Sequence, residues 1–99
     1  MHNIVYSNEA EKDIREIFSY IAEESLMNAL AYLERYEKKI ALLQDNPKMG
    51  TLCKNKNINK ACRVLKLDSH LVIYEEDEEK CELFIVRIFH QKVNYPSKI

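Results

Sequence analysis

Apolar residues change their repeat twice along this 99-residue chain, and each change marks an element. Asn3-Ile4-Val5-Tyr6 is short and β-prone. Ala10, Ile14, Ile17, Phe18 and Ile21 then recur every three or four residues, which places them on one helical face. Ser7 or Asn8 can cap this helix by accepting a bond from an early backbone N–H, and Glu11, three residues after Asn8, suits a capping box. Glu9, Glu11, Asp13 and Glu16 put negative charge at the positive end of the helix dipole. The pattern predicts a helix from about Glu9 to Glu23. Leu26, Ala29, Leu30, Leu33, Tyr36, Ile40 and Leu43 continue the period in a second helix. It stops at Asp45-Asn46-Pro47, because the residue before proline is pushed out of the α region. Two amphipathic helices joined by so short a turn pack antiparallel as a hairpin.

Lys48 to Ala61 holds the only glycine and little periodicity, and reads as a surface loop. From Cys62 the period is two. Cys62–Leu67 is a predicted strand, Asp68-Ser69 a tight turn, and His70–Tyr74 the return strand. Glu75–Glu79 (EEDEE) reads as a solvated turn. Cys81–His90 follows, apolar on both faces as an interior strand is. The expected order is β-α-α-β-β-β, an α+β fold in one domain spanning 1–99. The N-terminal helical hairpin packs on a small antiparallel sheet whose last three strands form a meander. The other face of that sheet is expected to be partly open.

The 46% apolar content and the scarcity of glycine and proline fit a folded globule. The first ten residues lack a basic start followed by an apolar stretch, so no signal peptide is expected. No apolar run approaches the roughly 18–20 residues that span a bilayer, so the expectation is a cytoplasmic protein with no membrane contact. Cys53, Cys62 and Cys81 are an odd number without C-x-x-C spacing, a pattern that predicts three reduced thiols. No metal or organic cofactor is expected, since His2, His70 and His90 lack paired ligand spacing. Net charge is −1, but its distribution is uneven. Asn46 to Leu67 contains no acid, and holds Lys48, Lys54, Lys56, Lys60, Arg63 and Lys66. One region is therefore positive in a nearly neutral chain.

Several stretches resemble one family in order and spacing. Ile4-Val5-Tyr6-Ser7-x-x-Ala10-x-x-Asp13-Ile14-x-x-Ile17-x-x-Tyr20-Ile21-Ala22 is similar to the N-terminal signature of RelE/ParE toxins. Asn46-Pro47-x-Met49-Gly50 resembles their helix-to-loop exit. Arg63-Val64-Leu65 with Leu71-Val72-Ile73-Tyr74-Glu75 resembles their strand pair, and Val86-Arg87-Ile88-Phe89-His90 their last strand. The wording is nearer the ParE-like branch. The resemblance implies the toxin of a type II toxin–antitoxin system, associated with plasmid stabilization and growth inhibition and neutralised by a cognate antitoxin. RelE-like members cut mRNA in the ribosomal A site, and ParE-like members are associated with inhibition of DNA gyrase. Where many ParE-like chains end H-G-R-R-D, this one reads His90-Gln91-Lys92-Val93-Asn94.

Three readings follow as expectations. A metal-independent ribonuclease needs cations for the developing phosphorane charge and a group to move the 2′-hydroxyl proton. Arg63 and Arg87, read as projecting from one sheet face, with His90 and Tyr95, are its candidates. Each also has a plainer role: Arg87 pairing with an antitoxin acid or with a local carboxylate such as Glu82, Arg63 in a similar structural or partner-binding role, His90 packed at a strand end, Tyr95 anchoring the terminus. Nucleic-acid affinity grows with the number of phosphates neutralised, so a pI near 6.3 points away from a nuclease and towards a protein target, DNA gyrase. A non-toxic antitoxin-binding relative is the third reading. The surface expected to meet a partner is Lys60, Arg63, Lys66, Arg87, His90 and Lys92.

Overall fold

A computed structural model describes residues 2–53 and 62–92. Strand β1 (Asn3–Tyr6) hands over to helix α1 (Asn8–Glu24) at Ser7, whose Oγ accepts from the Ala10 amide at 2.9 Å. Ser7, rather than Asn8, is the cap because its hydroxyl also donates to the Val86 carbonyl at 2.6 Å, anchoring it to another strand. Ser25 joins the two helices alone. Its extended backbone stops α1, and its Oγ accepts from the Asn28 amide at 3.1 Å to start α2 (Leu26–Asp45). Helix α2 buries Ala29, Tyr32, Tyr36, Ile40 and Leu43. Leu26 and Leu30, expected to face inward, are 59% and 53% exposed. Two overlapping stripes share the helical period here, and the deeper one runs through Ala29, fully buried, and Tyr32.

The sheet has the order β1-β5-β4-β3-β2, with β2 at Thr51–Leu52, β3 at Cys62–Leu67, β4 at His70–Asp77 and β5 at Glu82–His90. The last three strands form the expected antiparallel meander around the Asp68-Ser69 turn. Two features were not expected. β1 pairs with β5 in parallel, making the sheet mixed, and β2 rises from the stretch read as a loop. β4 also continues through Glu75 and Glu76 to Asp77, so the acidic run is half strand. Glu76 lies opposite Leu83 and meets His2 at 3.0 Å, which gives one of these acids a partner in place of solvent.

One sheet face carries the helical hairpin and the main core, with Leu65, Val72, Tyr74, Leu83, Ile85 and Ile88 against Ala10, Tyr36, Ile40 and Leu43. The opposite face holds a smaller cluster of Cys62, Ile73 and Phe89, flanked by Cys53, Val64, Leu71 and Val86. Cys53 and Cys62 correct the expectation of three free thiols: a disulfide joins them, with their Cα atoms 5.5 Å apart. Pairing of β2 with β3 brings the two cysteines level, the Cys53 amide donating to the Cys62 carbonyl at 3.0 Å. A reading that saw only a loop could not register this. Cys81 is a free, exposed thiol.

The exit from α2 is clamped by side chains of the sheet. The Tyr74 hydroxyl donates to the Pro47 carbonyl at 2.7 Å and accepts from the Gly50 amide at 2.9 Å. Arg63 donates to the Gly50 carbonyl at 2.8 Å. A Cβ on Gly50 would stand 2.8 Å from both the Tyr74 hydroxyl and the Val64 carbonyl, so only glycine fits. Gly50→Ala is therefore expected to lower stability by about 1–3 kcal/mol, through overpacking against backbone that cannot retreat. Urea unfolding of the purified variant measures this, and a midpoint equal to wild type would mean the exit loop is not held by the clamp.

Candidate functional site

Strand β5 outruns β1. Their parallel pairing ends at Tyr6 and Ile85, so Val86 to His90 face α1 along a bare edge. The ladder to β4 slips at the same place: Tyr74 pairs with Ile85 and Ile73 with Arg87, leaving Val86 as a bulge. The first two turns of α1 fill that edge. Ser7 takes the Val86 carbonyl, and Asp13 accepts the Ile88 amide at 2.9 Å. The same carboxylate binds the Arg87 guanidinium in two-pronged fashion, at 2.8 and 3.2 Å. This bond, followed by nearby acids, raises the Arg87 pKa above its already high value. Phe89 lies beneath the guanidinium, 4.5 Å from carbon to ring centroid. The partner of Arg87 is thus Asp13 and not Glu82.

The two arginines do not share a face. Arg63 pairs in register with Tyr74, on the helix-covered side, and Arg87 with Ile73, on the opposite side. The bulge at Val86 shifts the alternation by one residue, which no count of residues between the strands reveals. Lys66 is exposed and level with Leu71 on the side away from the helices. Lys92 follows β5 in an exposed turn, its amide donating to His90 Nδ1 at 3.2 Å. Lys60 and Tyr95 lie outside the described residues.

His90 stands directly opposite His70 on β4, their rings edge to face at 5.4 Å. The Tyr32 hydroxyl shares a 3.2 Å hydrogen bond with His70 Nδ1. Arg35 closes the same end by binding Asp68 at 2.8 Å in the β3–β4 turn. Tyr32, Asp68, His70 and His90 border an open cleft of about 660 Å³ between the hairpin and the end of the sheet, lined also by Ile17, Ile21 and Ile88. Burial, followed by the coulombic effect of Asp68, lifts the Tyr32 pKa to about 12, so the phenol keeps its proton. Burial, then the neighbouring His90, lowers the pKa of His70. The cleft therefore offers a neutral imidazole and a phenol beside the carboxylates of Asp13, Glu16 and Asp68.

Asp13, Tyr32 and His70 are the site residues that sequence reasoning missed. Asp13 left a legible signal, a carboxylate between Ala10 and Ile14 on the apolar face of a helix. Tyr32 and His70 left none, because the expected stripe ran through Leu33 and passed over Tyr32, and the strand register was unknown. Among the described residues no three His, Cys, Asp or Glu side chains are grouped as metal ligands. Nor is any helix there long and apolar enough to cross a membrane.

A helical hairpin laid on a five-stranded mixed sheet is the fold of RelE- and ParE-type toxins. It is shared with the chromosomal ParDE system of P. aeruginosa (TM-score 0.70, 19% identity, 91% of this chain and 96% of that one). It is shared also with the intact E. coli RelBE toxin–antitoxin complex (TM-score 0.63, 18% identity, 91% and 96%) and a metal-bound toxin from Helicobacter pylori (TM-score 0.63, 20% identity, 91% and 94%). Residues 4–95 match the family described as ParE toxin of type II toxin-antitoxin system, parDE, and the chain belongs to that family. It is a type II toxin–antitoxin toxin of the ParE/RelE group. No curated protein matches it.

Two outcomes follow from the site. Asp13→Ala strips a carboxylate from both an edge amide and a guanidinium, and is expected to cost about 2–3 kcal/mol. A double-mutant cycle with Arg87→Ala measures the share due to the ion pair, and purely additive losses would show that the two side chains act separately. The second outcome concerns pH. Folding holds the His70 pKa below its ordinary 6.5, so the neutral ring is favoured in the native state. Stability from this source is complete above that value and is lost as pH falls through it towards the lower native value. Between pH 7.5 and 5.5, His70→Gln should lose less stability than wild type in urea melts. Parallel losses would remove His70 as a cause.

Proposed function

We propose that this chain is the toxin of a ParE-like pair, acting on a protein target, DNA gyrase, and held inactive in the cytoplasm by a cognate antitoxin. The observation that carries the choice of target is the deployment of the arginines. Arg63 is bound to the carbonyl of Gly50, and Arg87 is clamped by Asp13 on the opposite face. A ribonuclease of this group needs cations converging on one phosphate, and these two are kept apart and occupied. The near-neutral net charge and the ParE family match favour the same reading.

An antitoxin partner is supported by the ParDE and RelBE systems that share the fold. The hairpin also leaves apolar surface for a folding-on-binding segment: Leu26, Leu30 and Met27 are all more than half exposed. On this reading Lys66, Lys92 and His90, which are exposed, remain the described candidates for partner contact.

A gyrase supercoiling assay at increasing toxin, with and without its antitoxin, tests the target. Loss of supercoiling that antitoxin restores is the expected result. Primer extension on a translated message should show no toxin-dependent stops. Discrete A-site cuts with normal supercoiling would replace this proposal with the mRNA interferase, and no growth defect on induced expression would leave only an antitoxin-binding relative.

A further inference from the structure

We propose that Cys53 and Cys62 form a reversible redox clasp, a thiol pair that fastens the β2 edge of the sheet when oxidised and releases it when reduced. This inference is independent of the toxin's target. Three features of the structure place the bond where such a device works. The edge it fastens is marginal alone, because among the described residues β2 is two residues long, in register with β3 at Thr51 and Leu52 and followed by one further bond from the Cys53 amide. The two cysteines are unequal. Cys62 is only 3% exposed, whereas Cys53 is half-buried, so a small reagent meets Cys53 first. The main core lies on the other side of the sheet and includes neither cysteine, so the clasp opens without dismantling the hydrophobic centre.

The chemistry balances with an oxidant of one class, a low-molecular-weight disulfide. The Cys53 thiolate attacks one of its sulfurs, a mixed disulfide forms, and one small thiolate leaves. The Cys62 thiolate then attacks the Cys53 sulfur, the protein disulfide forms, and the second small thiolate leaves. Two electrons pass from the cysteine pair to the reagent, and the two thiol protons end on the released thiols. Reduction by two molecules of the small thiol runs the same steps backwards and returns the low-molecular-weight disulfide.

The consequence reaches beyond the edge. Eight residues separate the pair, among them Lys54, Lys56 and Lys60, three of the cations in the acid-free stretch. Oxidation fixes the flanks of this basic segment 5.5 Å apart at the Cα atoms, and reduction removes that constraint. The clasp also lies next to Gly50, whose amide and carbonyl are held by Tyr74 and Arg63. Opening it loosens the stretch of chain that those two side chains grip. Cys81 is set apart in the turn before β5 and takes no part.

The test equilibrates the purified full chain at pH 7 across a series of oxidised-to-reduced glutathione ratios. Free thiols are then trapped by a maleimide and located by mass spectrometry. At the oxidising end only Cys81 should be labelled, and at the reducing end all three cysteines, with the change running both ways under native conditions. The reduced form should melt about 5–15 °C lower, as expected for a short loop opened in a small domain. Cys81→Ser should keep the whole effect, and Cys53→Ser should melt at one temperature in both buffers. Labelling of all three cysteines at the oxidising end would overturn the proposal. So would a bond that yields only after the protein unfolds, or a redox shift that survives in Cys53→Ser.

Discussion

A β-strand that extends past its neighbour leaves backbone groups along its edge that need partners, and the first two turns of α1 supply them here. Asp13 is the one buried charged residue among those described, and it accepts the Ile88 amide as a strand would. Ser7, six residues earlier, supplies the complementary donor, ending β1, starting α1 and donating its hydroxyl to the bulged Val86 carbonyl. These contacts fix how the helical hairpin lies on the sheet. They also decide what Arg87 is for. A carboxylate buried at a strand edge requires a counter-charge, and Arg87 is the residue that reaches it.

The same economy governs the tyrosines. Tyr6 and Tyr36 share a 2.7 Å hydroxyl bond linking β1 to α2, Tyr32 meets His70, and Tyr74 holds the exit loop. Each fills the core with a ring and spends its hydroxyl on joining two elements. Their phenols are all pushed above the ordinary pKa, chiefly by burial, so they act as neutral hydrogen-bonding groups. Among the described residues no buried side-chain nitrogen or oxygen lacks a partner. Small domains gain specificity this way, because a satisfied buried hydroxyl is tolerated in one geometry and costly in others.

Much of the fold was legible because hydrophobic period is a local property. Both helices, the meander and its Asp68-Ser69 turn could be read from spacing alone. What stayed hidden depended on pairing between distant segments. The parallel seat of β1 beside β5, the two-residue strand β2 and the Cys53–Cys62 bond all depend on which strand lies next to which. The bulge at Val86 was invisible for the same reason, and it moved Arg87 to the face opposite Arg63. The geometry of the candidate site was less legible than the fold. Arg63 and Arg87 were read as projecting outward from one face, whereas the structure gives both internal partners, the Gly50 carbonyl and Asp13. Lys60 and Tyr95, also singled out, lie outside the described residues.

Internal pairing of charge bears directly on the kind of surface this toxin presents. A protein that grips nucleic acid gains affinity by replacing counterions with its own cations, and those cations must be free of carboxylates to do so. Here Arg35 is matched by Asp68, Arg87 by Asp13 and Lys48 by Glu78, each within 3.1 Å. A phosphate would have to displace an existing partner at every one of these sites. The exposed apolar residues of α2 meet no such competition, since Leu26, Met27 and Leu30 already face water and gain by being covered. The arginines of β3 and β5 are thus engaged by the chain's own carbonyls and acids, and the apolar face of α2 is the surface left with most to gain from a cover.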